Sequence, residues 1–209
     1  MTSYRSHVTA PVLDPRAAAF LVFSLGFAIA IGLGLVADDA DYARAKYTIW
    51  PVVALGGWAV ALMLRYGPGE ALAETSWRMW WAWGLLAYVL HLYWGFGLVY
   101  GGDLDAVYAG QGNLVATVNF ALLFLWAASV VWAYAGWPGF WLHALTALLF
   151  IVSTLMASLA FGRDISPYGG AVILVVWLAA PIDCSMRPSS SNTRLWVRTR
   201  RLEGSRNSS

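Results

Sequence analysis

A single cysteine, Cys184, in 209 residues excludes an internal disulfide and leaves no second thiol for a zinc or iron–sulfur site. Charge is also scarce: Asp, Glu, Lys and Arg make up 11% of the chain, against roughly 25% in an ordinary soluble domain. No Asp or Glu lies deep in a long apolar run, which weakens the case for a proton-coupled carrier built on an intramembrane carboxylate. GxSxG, HExxH, CxxC and phosphate-loop patterns are all absent, so no hydrolase, zinc-protease, dithiol or nucleotide signature is available to name a reaction. The acidic cluster Asp38, Asp39 and Asp41 has neither EF-hand spacing nor a nearby Gly turn, so no metal site is expected.

What the chain has in quantity is apolar and aromatic surface. Sixty per cent of residues are hydrophobic, the mean hydropathy is +0.62, and there are 13 tryptophans. This composition predicts an all-α, polytopic membrane helical bundle with the bilayer as its main environment. The indole ring has an apolar body and a hydrogen-bonding edge, so most tryptophans are expected to mark the two membrane interfaces.

Six transmembrane helices are expected, over about 17–37, 47–64, 79–100, 114–135, 140–161 and 168–183; the first five are close to the roughly 20 residues that cross a 30 Å core, and the sixth, with Pro181, is short. They follow a cytoplasmic segment 1–16, form a membrane domain 17–183, and lead into a basic tail 184–209 expected to be disordered and cytoplasmic. The first run is longer than the roughly 7 to 15 apolar residues of a signal peptide, so it is expected to be retained. Gly26, Ala30 and Gly34, and again Gly57 and Ala61, form small-residue faces for close helix packing. Asp38–Lys46 and Gly101–Asn113 are read as loops, and Gly136-Trp137-Pro138-Gly139 as a tight turn.

Charge orients the chain. With six spans, one side carries ten basic residues: Arg5, Arg16, Arg65, Arg78 and the six arginines of the tail. The other carries Arg44, Lys46 and Arg163. The positive-inside rule then predicts both termini in the cytoplasm and an inner-membrane location. Tail arginines interleaved with Leu195, Trp196, Val197 and Leu202 point to lipid headgroups, not nucleic acid, as their partner.

Few groups in the spans can carry chemistry. His91 falls about twelve residues into the third helix, near mid-membrane, where an ionisable group costs roughly 2.5 kcal/mol or more if charged and so marks a functional candidate. Tyr88, one turn earlier, is placed to orient the imidazole, and Asn119 of the fourth helix comes within reach of a water-bridged contact. His91 and His143 are candidate cofactor ligands, for haem or a quinone. Their axial offset of roughly 13 Å argues against one shared iron, and His143 reads better as an interfacial residue. Thr146, Ser153 and Ser158 are expected to return their hydroxyl hydrogen bonds to the preceding turn.

Small size and few polar groups favour an accessory or anchor subunit of a larger membrane complex, with redox or quinone chemistry near His91 and other membrane subunits as partners. A membrane enzyme acting on a lipid or isoprenoid through His91, Tyr88 and Asn119 is the second reading. A small transporter or channel is the third, and it requires a continuous polar path through the bundle.

Overall fold

The structure, a computed structural model, describes residues 14–67 and 77–160 and the helical positions 171, 174, 175, 177 and 178. Every regular element among the described residues is helical: α1 (Pro15–Leu35), α2 (Ala40–Tyr47), α3 (Ile49–Tyr66), α4 (Trp77–Leu92) continued by a π-helical segment (Tyr93–Val99), α5 (Leu104–Gln111), α6 (Asn113–Ala135) and α7 (Phe140–Leu155) continued by a second π segment (Met156–Ala160). Among the described residues, five helical stretches are long and apolar enough to cross a membrane: Pro15–Leu35, Ala40–Tyr66, Trp77–Val99, Asn113–Ala135 and Phe140–Ser158. Most of segment 1–16, much of the polar stretch between Tyr66 and Trp77, the turn with Arg163 and Asp164, most of the sixth expected helix and the whole tail with Cys184 lie outside the described residues.

Two stretches read as loops are helices. Asp39 caps α2 by accepting a hydrogen bond from the Tyr42 N–H at 3.0 Å, and Asp103 caps α5 by accepting from the Asp105 N–H at 2.9 Å. Asp and Gly clusters favour turns, but the same carboxylates satisfy the orphan donors of a helix start, and here capping wins. Gly101 and Gly102 (φ 62° and 75°) precede α5 and Gly112 (φ 83°) follows it, where the left-handed backbone suits glycine. The expected turn between α6 and α7 is present, with Gly136 at φ 71° closing α6 in the left-handed conformation.

Close approach of backbones organises the interior. On α1, a methyl group added at Gly26 would stand 2.8 Å from Pro51 Cβ, so the small-residue face packs on the start of α3. α3 and α4 make the most extensive helix contact of the bundle. They cross at Gly56 and Gly84, where a Cβ on Gly84 would lie 3.1 Å from the backbone nitrogen of Gly56. Indole and phenyl rings close over this crossing: Trp81 and Trp126 centroids are 4.3 Å apart, and Phe150 sits 5.0 Å from Trp126 and 5.7 Å from Trp81.

The described tryptophans include both exposed and buried rings. Trp58, Trp137 and Trp141 are exposed, but Trp77, Trp81, Trp126 and Trp177 are buried. Three of the buried indoles have a partner for the N–H that otherwise keeps the ring at a wet boundary. Trp81 donates to Ser129 Oγ at 3.0 Å, Trp126 to the Trp81 carbonyl at 3.1 Å, and Trp177 to the Gly57 carbonyl at 2.9 Å.

Candidate functional site

Polar side chains gather in two places on α4. The first is at its far end. Thr48, the single residue between α2 and α3, donates its hydroxyl hydrogen to the Arg44 carbonyl at 2.8 Å, and its Oγ1 lies 3.2 Å from His91 Nδ1. A hydroxyl has one hydrogen, so with it given to Arg44 the imidazole is the donor at Nδ1. Tyr88 and His91 rings stack at 6.1 Å, as neighbours three apart on a helix face can. Tyr88 donates to the Asn119 backbone carbonyl at 3.1 Å, and the Asn119 amide donates to Gln111 Oε1 at 3.0 Å. The structure therefore brings His91, Tyr88 and Asn119 into one chain of contacts, with Thr48 and Gln111 as members that the sequence reading missed. Asn119 reaches the cluster through its backbone carbonyl and Tyr88, while its amide turns to α5.

α2, taken for a loop, packs on the π segment that follows His91. It carries the Arg44 guanidinium to 5.2 Å from the centre of the Trp94 ring, and Arg44 pairs with Asp41 at 3.1 Å. The half-buried imidazole thus stands beside a charged helix. It also lies next to the wide turns of Tyr93–Val99, and such π segments occur often at functional sites.

The second cluster is at the start of α4. His143, in the first turn of α7, is turned inward and only 3% exposed. Its Nδ1 lies 2.8 Å from Ser129 Oγ, which also accepts from Trp81, and its ring meets Trp77 edge-on at 4.9 Å. Trp77 and His91 are separated by fourteen residues of α4, about 21 Å of rise. One haem iron cannot be shared by imidazoles so placed. Ser129→Ala leaves the Trp81 N–H and His143 Nδ1 buried without their partner, so it should cost about 2 kcal/mol or more in a detergent unfolding titration. Thr146→Val, which removes a hydroxyl bonded at 2.7 Å to its own helix at the Leu142 carbonyl, should cost clearly less.

Between α3, α4, α6 and α7 lies a cavity of about 140 Å³, walled by Trp50, Tyr88, Asn119, Trp126, Phe150 and Ser153 with further aliphatic and small residues. An apolar cavity of about 150 Å³ holds benzene, so this one takes a single six-membered ring. His91 is not among its walls; it stacks on Tyr88, which is. No carboxylate, imidazole, thiol or cationic side chain lines it. Among the described residues no three His, Cys, Asp or Glu come together as a metal site. No protein-family model matches the chain, and neither does any curated protein or solved structure.

Proposed function

We propose that this protein is a small accessory or anchor subunit of a larger inner-membrane complex and that it holds a quinone ring in the cavity between α3, α4, α6 and α7. The cavity carries this reading: its size matches one ring, its walls are mostly apolar, and its few polar points are neutral donors and acceptors. A lipid or isoprenoid enzyme is disfavoured because general acid–base work would fall to the Tyr88 phenol alone, already committed to Asn119. A channel is disfavoured because the fully buried Trp81 and Trp126 stand between the two polar clusters. Haem is disfavoured because neither imidazole reaches the cavity.

In this proposal six helices span the bilayer, with the sixth over 168–183. Both termini are cytoplasmic, as the ten-to-three bias of basic residues requires. Other membrane subunits cover the outward helix faces.

Trp50 and Trp126 line the cavity and supply the readout. Titrating the purified protein with a short-chain benzoquinone should quench tryptophan fluorescence saturably. Quenching that rises linearly, as with free tryptophan in the same micelles, would remove the quinone. Gentle extraction from the native membrane should bring other subunits along, and a chain that migrates alone would remove the accessory role.

A further inference from the structure

His143 uses one ring nitrogen inside the bundle and leaves the other free. Ser129 Oγ accepts from the Trp81 N–H at 3.0 Å and lies 2.8 Å from His143 Nδ1. Its single hydrogen has no second acceptor among the described residues, so it goes to Nδ1 and the ring hydrogen stands on Nε2. That Nε2–H has no hydrogen-bond partner among the described residues, although His143 is only 3% exposed. A Cβ built at Gly139, the N-cap of α7, would stand 3.0 Å from it, so the free edge of the ring faces the opening turn of its own helix. Unlike the Trp77 N–H nearby, Nε2 is not shut off from solvent. The Trp132 N–H, also beside Gly139, is taken by the Pro138 carbonyl at 3.2 Å.

That turn lacks negative charge. The N–H groups of Phe140, Trp141 and Leu142 precede the first hydrogen bond of the helix, from the His143 N–H to the Gly139 carbonyl at 3.0 Å. No side chain caps them, and no acidic residue lies in the first turn, so the helix start carries about half a positive charge uncompensated. A full positive charge stands beside it. Arg78 follows Trp77, whose ring meets His143 at 4.9 Å, and its charge acts on that imidazole. Arg78 is half-buried, forms no ion pair among the described residues, and its Nε has no hydrogen-bond partner. Around the turn, Trp137, Phe140 and Trp141 are 54, 50 and 81% exposed, as rings at headgroup depth are. We propose that the start of α7 holds the phosphate of an anionic phospholipid, in the leaflet that the charge bias assigns to the cytoplasm. His143 Nε2 and the free N–H groups of the first turn donate to its oxygens, and Arg78 supplies the counter-charge. The site shares no residue with the walls of the quinone cavity and does not depend on it.

The test titrates the purified full chain in neutral detergent with dioctanoyl phosphatidylglycerol and follows the melting temperature. Dioctanoylglycerol, which lacks the phosphate, and inorganic phosphate are the other probes. The phosphatidylglycerol should raise the melting temperature saturably, and the other two should leave it unchanged at the same concentrations. Arg78→Gln should weaken lipid binding roughly fivefold, the worth of one charge at a partly exposed helix end. His143→Asn keeps an amide near the Nδ1 position for Ser129 but has nothing at Nε2, and it should weaken binding by a similar factor. His143→Gln, whose amide reaches the Nε2 position, should recover most of the affinity.

Unchanged lipid affinity in Arg78→Gln, or in a folded His143→Asn, would overturn the proposal, since the lipid would then bind elsewhere or through charge alone. Arg78→Gln changes a half-buried position at a helix start and decides the matter if His143→Asn does not fold. An equal rise with dioctanoylglycerol would overturn it too, because acyl chains would then account for the effect. A saturable rise with inorganic phosphate that matches the phosphatidylglycerol would overturn the lipid as occupant and put free phosphate in its place. No rise with any of the three probes would overturn the site itself.

Discussion

Gly84→Leu should not assemble this bundle, and Gly84→Ala should lose about 2 kcal/mol in a detergent unfolding titration. The reason is the neighbour that would have to give way. A first methyl at Gly84 meets Trp126 Cζ2 at 2.8 Å and the Gly56 backbone at 3.1 and 3.2 Å. A flexible side chain could swing aside, but the backbone of α3 cannot, and Trp126 is held by its hydrogen bond to the Trp81 carbonyl. Overpacking a close-packed interior typically costs about 1–3 kcal/mol per small addition, and two helices that must separate along their whole contact lose more. Gly32 provides the control: nothing lies within 4 Å of a Cβ built there, so Gly32→Ala should be close to neutral. Equal stabilities for the two alanine variants would show that the Gly56–Gly84 crossing does not hold the bundle.

Trp126→Ala is the second large effect, of opposite steric sense. Trp126 is fully buried and touches Trp81, Phe150 and Tyr88, with ring centroids 4.3, 5.0 and 5.7 Å away. In a soluble core such a truncation costs about 3–5 kcal/mol. Here the transfer part shrinks, because the unfolded reference in detergent or lipid is itself apolar, while the lost packing remains. We expect about 2–4 kcal/mol. Trp126 also forms one wall of the ring-sized cavity, so the variant should open it. A bulkier ligand such as naphthalene should stabilise Trp126→Ala against heat and leave the parent chain unchanged. No difference between the two would mean that the helices collapse into the space.

α6 and the start of α7 were legible to within a residue, because Gly136-Trp137-Pro138-Gly139 punctuates an otherwise uniform apolar sequence. α2 and α5 were not. Their aspartates read as turn formers, and only the geometry reveals Asp39 and Asp103 as caps. The inward turn of Trp81 and Trp126 was hidden for another reason. When lipid and interior are both apolar, a helix needs no polar face, and periodicity stops reporting which side is buried.

The site shows the same boundary. Tyr88 over His91 follows from spacing on one helix, whereas Thr48 against His91 depends on α2 being a helix at all. The Ser129 to His143 contact depends on how α6 and α7 meet, which no local pattern encodes. Ser153 was visible as a hydroxyl on α7, but general experience assigns it to the preceding turn, and the structure does not.

The near-continuity of α2 and α3 bears on the kind of bilayer this chain suits. Ala40–Tyr66 rises about 40 Å over its 27 residues if it runs along the membrane normal, yet only the 18 residues of α3, about 27 Å, are free of charge at their leading end. Arg44 and Lys46 occupy the last turn of α2, five and three residues before α3 begins. A hydrocarbon layer a few ångströms thicker than α3 would draw those charges into the acyl chains, at roughly 2.5 kcal/mol or more for each one submerged. A thinner layer would merely wet the end of α3. Hydrophobic mismatch is therefore asymmetric for this protein, and it favours membranes on the thin side of the usual range.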